Sequence, residues 1–183
     1  MELSNLLSKV NKYTSVLSNT ITYRKLWVDE VKPLIVSTLE EIITSIQLPK
    51  VKIDIRSEVE NLEAIVLDLG NTSSGLSQNY ENTDVKRIMI KSNGSLIYQQ
   101  LFNGKIMVMI VNPHIEGYGE QKPPVIIEIL RPDELNVPFI IRHMENFIKA
   151  ITEWEDYDDD EPQKNVIGFN PIAVPRPEIG EES

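Results

Sequence analysis

The sequence contains no cysteine and only two histidines, His114 and His143. The first absence excludes disulfides, thiolate metal sites, cysteine nucleophiles and thiol redox motifs together. The second excludes a three-histidine metal centre. No apolar run approaches the roughly 18–20 residues that a membrane-spanning helix needs. Met1 to Lys12 has neither the basic start nor the apolar stretch of a signal peptide. An excess of positive charge is missing too. The net charge of -10 and the pI near 4.7 oppose nucleic acid and anionic membranes as partners. The expectation is a cytoplasmic protein that binds neither.

What is present suffices for a packed core: 183 residues, 41% of them hydrophobic and 25% charged. The charge is unevenly spread. From Glu153 to Ser183 ten acids face two bases, whereas Met1 to Thr152 holds 18 acids and 16 bases. The chain thus divides into one domain, residues 1–154, and an acidic, proline-containing C-terminal arm, residues 155–183. Pro162, Pro171, Pro175 and Pro177 exclude regular helix or central strand there. Val166 to Phe169 and Ile172 to Val174 are too apolar for a purely solubilising tail, which points to an arm that packs on a surface. Asp156, Asp158 and Asp160 take the first three ligand positions of a calcium loop. Glu161 stands where the turn glycine belongs and Ile167 where the closing glutamate belongs, so no EF-hand is expected.

Along the domain the hydrophobic period changes once. Leu3, Leu6, Leu7, Val10, Tyr13 and Leu17 follow helical spacing, and a second helical stripe runs from Tyr23 through Trp27, Val31 and Ile35 to Ile46. Pro33 should end or kink this helix, because it removes a donor and crowds the preceding turn. The expectation is a helical pair or one long kinked helix. From Val51 the period becomes two, and strands are predicted at 51–56, 62–69, 85–91, 95–102, 105–111 and 125–130. Asn71 to Asp84 and Pro113 to Pro124 read as loops. A last helix is predicted from about Pro138 to Trp154, with the stripe Ile140, Met144, Phe147 and Ile151. The fold class is α+β: N-terminal helices, an antiparallel meander of about six strands, a C-terminal helix and an acidic tail.

Asn93-Gly94 and Asn103-Gly104 read as two-residue hairpin turns, which fixes a register and therefore two faces. One face collects Ile88, Ile90, Ile97, Leu101, Ile106, Val108 and Ile110. The other collects Met89, Leu96, Tyr98, Met107 and Met109, with Arg87, Lys91 and Lys105 at its margin. A slip of one residue would exchange the faces of the slipped strand. The first is a core face. The second is rich in adaptable methionine: either the C-terminal helix covers it, or it is a surface for a partner or a second copy. Arg87, Lys91 and Lys105 could then receive the acidic arm.

Chemistry-bearing motifs are incomplete. Gly70 and Gly75 have the spacing of a P-loop, but Leu76 stands where its lysine would reach the phosphates. Asp68-Leu69-Gly70-Asn71-Thr72 resembles the first phosphate loop of actin-like ATPases and sugar kinases over five residues. The second phosphate loop and the adenosine loop of that family have no counterpart. His114-Ile115-Glu116 has the His-x-Glu half of a zinc deaminase signature without its cysteines. His143 reads as a helix-face residue.

Two functional classes follow. The first is a non-enzymatic protein–protein interaction or assembly module, with a protein partner or itself, using Arg87, Met89, Lys91, Tyr98, Lys105, Met107 and Met109 and the acidic arm. The second is a small-ligand binding domain or enzyme with a pocket near His114, Glu116, Tyr118 and Glu128. Neither catalytic residues nor a cofactor or metal are assigned.

Overall fold

A computed structural model describes residues 2–79 and 86–156. The N-terminal third is one continuous helix in three parts: α1 (Ser4–Leu26), a π-helical turn (Trp27–Val31) and α2 (Lys32–Ile46). Pro33 does not end it. The proline lacks the N–H that would reach Asp29 and its ring would crowd that carbonyl; the wider π turn just before it relieves the clash. The N–H of Lys32 accordingly donates to Trp27 O. The extra residue turns the helix by about 100°. Trp27, Val31, Ile35 and Leu39 thereby form one buried line four residues apart, whereas α1 buries no residue at all.

Among the described residues eight strands follow: β1 (Lys52–Arg56), β2 (Ala64–Asp68), β3 (Asn71–Asn79), β4 (Lys86–Ser92), β5 (Ser95–Gln100), β6 (Ile106–Val111), β7 (His114–Ile115) and β8 (Val125–Leu130). A short 3₁₀ turn (Pro132–Glu134) leads to α3 (Val137–Glu155). Asn136 caps α3 through a bond its side chain accepts from the Phe139 N–H, and Pro138 sits in the first turn, where no intrahelical donor is needed. The fold is α+β, and the described residues hold eight strands in two antiparallel sheets rather than six in one meander. The larger sheet has the order β1-β2-β5-β6-β8, the smaller β3-β4-β7.

Asn93-Gly94 is not a hairpin turn. β2 pairs with β5 and β3 with β4 in a register that continues across the bend, Asp68 opposite Ser95 and Asn71 opposite Ser92, and shifts only between Ser73 and Ser77. The two pairs are one long ribbon, bent where it passes from the larger sheet to the smaller. Leu69 N–H donates to Gly94 O and Asn93 N–H to Gly70 O across the bend. Glycine is required at the corner: Gly94 has φ +92, and a Cβ there would lie 2.8 Å from Val111 O.

Asn103-Gly104 does join β5 to β6, but through a longer turn. Tyr98 pairs with Val108 rather than with Met109. This one-residue difference puts Leu96, Tyr98, Ile106, Val108 and Ile110 on a common face. With Ile65 and Leu67 that face meets Ile35 and Leu39 of α2 and Ile140, Met144 and Phe147 of α3 in a single core. Both helices thus cover one side of the larger sheet. On the opposite side Ile97, Met107 and Met109 are half-buried, and Ile126 and Ile129 are exposed at its edge. No helix in the described residues is long and apolar enough to cross a membrane.

Candidate functional site

The residues singled out by sequence are distributed over both sheets. Met107 and Met109 lie half-buried on the helix-free face of the larger sheet. Tyr98 does not join them: it is fully buried on the helix-covered face. Met89 is on β4 in the smaller sheet. Arg87 pairs with Glu116 at 2.7 Å. Lys91 pairs at 2.6 Å with Glu155, where the acidic segment begins, and lies 5.9 Å from the centre of the Trp154 ring. Lys105 lines a 280 Å³ hollow at the root of α1 with Thr20, Tyr23 and Arg131. Val85, the first residue of the third predicted strand, and residues 157–183 of the arm lie outside the described residues. Residue 158 and residue 160 of the calcium-like spacing do so too.

The second group is also dispersed. His114 opens β7 opposite Ser92, and Glu116 follows with its N–H on Ile90 O. Tyr118 makes a tight turn with Ile115. Glu128 belongs to the other sheet, where its carboxylate accepts from Arg142 at 2.6 Å and meets His143 Nε2 at 3.1 Å. The P-loop-like segment is strand β3, not a loop before a helix. Gly75 is thus followed by strand up to Asn79 rather than directly by a helix N-terminus.

Glu128 leads to a polar chain inside the core that the sequence did not reveal. Tyr98 Oη lies 3.3 Å from His143 Nδ1, and both side chains are fully buried. An ionised Glu128 can only accept, so His143 Nε2 carries the proton and Nδ1 accepts from the Tyr98 hydroxyl. Burial lowers the His143 pKa; the Glu128 hydrogen bond opposes this without cancelling it. Burial also raises the Tyr98 pKa. The chain is thus a neutral tyrosine and histidine ending on a carboxylate, closed to solvent at its inner end, and its work is to fix α3 on the sheet. A second polar knot anchors the π turn. Glu63 accepts from Trp27 Nε1 and Lys32 Nζ, both at 2.8 Å, and the Lys32 bond chiefly holds its carboxyl below the usual range. Among the described residues no three His, Asp or Glu side chains gather as metal ligands.

Two solvent-facing features are apolar. On α1, Leu6, Leu7, Tyr13, Val16, Leu17 and Ile21 are all exposed. Between α2 and α3 runs a groove of 680 Å³, lined by Ile42, Ile46, Val137, Ile141, Met144 and Ile148. The helical spacing of the first was legible in sequence; its exposure was not. The groove has no sequence signal, since it depends on how far apart two helices pack. No family model matches the chain, and comparisons with curated proteins and with solved structures give no match.

Proposed function

We propose that the protein is a non-enzymatic interaction or assembly module. The observation that carries this reading is α1: 23 residues, an apolar stripe along its length, and no buried side chain. A stripe of this size left to water costs free energy unless another surface covers it. The helix-free sheet face around Met107 and Met109 is a second contact surface of the same kind, and methionine suits it to a partner that repacks. The acidic segment that starts at Glu155 adds charge-directed contact, with its first carboxylate already on Lys91.

The test is stability without contact. Leu17→Asp on α1 and Met109→Asp on the open face should each leave a cooperatively folded chain. At concentrations where the protein is dispersed, thermal midpoints by circular dichroism should lie within a few degrees of the parent. A buried leucine or methionine replaced by a charge would instead cost several kcal/mol. Unfolding of both variants would mean that these faces are core, and the reading would fail.

A further inference from the structure

We propose that α1 of one copy seats in the groove between α2 and α3 of a second copy, the two chains exchanging their helices reciprocally. This rests on the reading as an assembly module and names its partner. Three observations choose the occupant.

The first is the width of the stripe. Leu3, Leu6, Val10, Tyr13 and Leu17 alternate three and four apart, the seam of a coiled coil. Leu7, Val16 and Ile21 broaden that seam on both sides. A two-stranded coil needs only the narrow seam, whereas a broad band suits a helix that touches two others at once. A groove between two helices offers that geometry. Its lining passes from buried Met144 through half-buried Ile42 and Ile148 to exposed Ile46 and Ile141.

The second is charge. α1 carries Lys9, Lys12, Arg24 and Lys25 and no acid. The groove is bordered by Glu41 and Glu145, with Lys149 the one base in its lining. A second α1 would offer Lys9 and Lys12 no carboxylate, whereas the groove offers them Glu41 and Glu145; Arg24 already donates to the Phe102 carbonyl of its own chain.

The third is reach. α1 runs into α2 without a break in the helix. Val10 and Ile42 are therefore about 48 Å apart along it at 1.5 Å per residue. The helix cannot fold back on its own groove without breaking at Trp27, which is fully buried. An α1 seated in this groove must therefore come from another molecule, and a two-fold arrangement fills both grooves at once.

The absence of cysteine makes the test specific. Val10→Cys and Ile141→Cys are placed in separate preparations, both at exposed positions. The preparations are then mixed, allowed to exchange and treated with a short bis-maleimide. A product of twice the monomer mass should form in the mixture and not in either preparation alone. Cross-linking of Val10→Cys copies to one another would show helix-to-helix pairing and overturn the groove, as would no mixed product. Independently, Ile141→Asp should raise the dissociation constant at least about tenfold, one buried apolar contact being worth that much; an unchanged constant would also overturn it. If the cross-link fails while Leu17→Asp and Met109→Asp remain folded, this pairing falls and the interaction reading stands. If those two variants unfold, the interaction reading itself falls.

Discussion

His143 shows how much a single buried ring can set. Its neighbours are the Tyr98 hydroxyl on β5, Glu128 on β8 and Arg142 beside it on α3. Burial holds its pKa below the ordinary 6.5, so the unfolded chain binds the proton at a higher pH than the folded one. Stability from this group is then full above the unfolded pKa and falls as the pH drops below it. The thermal midpoint should decrease between about pH 7.5 and pH 5.5, and His143→Gln, which cannot titrate, should flatten that slope. A slope identical in parent and variant would contradict the assignment. Gly94 sets geometry instead of charge. With φ +92 and a carbonyl 2.8 Å from any added Cβ, Gly94→Ala should cost about 1–3 kcal/mol or more in denaturant unfolding. A neutral substitution would mean that the corner relaxes.

At the scale of elements, helices were more legible than strands. The 3.6-residue stripes of α2 and α3 are continuous because both helices bury one face, and Asn136 with Pro138 marks the start of α3. β3 was not legible, because Asn71 to Asn79 has no apolar alternation and its ladder with β4 rests on backbone bonds. Asn93-Gly94 misled for a related reason: the left-handed glycine that makes a tight turn also makes a bend in a ribbon. The β5–β6 register escaped too, since Asn103-Gly104 sits inside a longer turn whose glycine answers to α1. A Cβ on Gly104 would lie 2.6 Å from Tyr23 Cβ. Gly104→Ala should therefore loosen the root of α1. Hydrogen exchange should rise over residues 20–26 while the amides of β5 and β6 stay protected. Uniform acceleration across the chain, or none, would show that the contact does not hold the helix.

The whole molecule divides into a two-layer body and elements that reach past it. α2 and α3 close one face of the larger sheet around Tyr98, Phe147 and Trp27. α1, the open sheet face and the groove are apolar surfaces that this body does not use. Most apolar core positions on α2 and α3 could be read in advance, but His143, read as a helix-face residue, is buried and Ile46 of the α2 stripe is exposed, and the candidate surface could be read only in part. Met107 and Met109 lie on the helix-free face, while Tyr98 turned inward with the one-residue register change. The exposed state of α1 is a property of the assembled chain, not of its periodicity. Its consequence is collective, so the solution mass measured by light scattering at low and high salt, for the parent and for Leu17→Asp, is the direct test. The parent should have about twice the chain mass of 20.9 kDa and keep it at high salt, because apolar burial is not screened. Leu17→Asp should return to the single-chain mass. A parent that is monomeric in both salts, or a variant that keeps the parent's mass, would contradict self-assembly through α1.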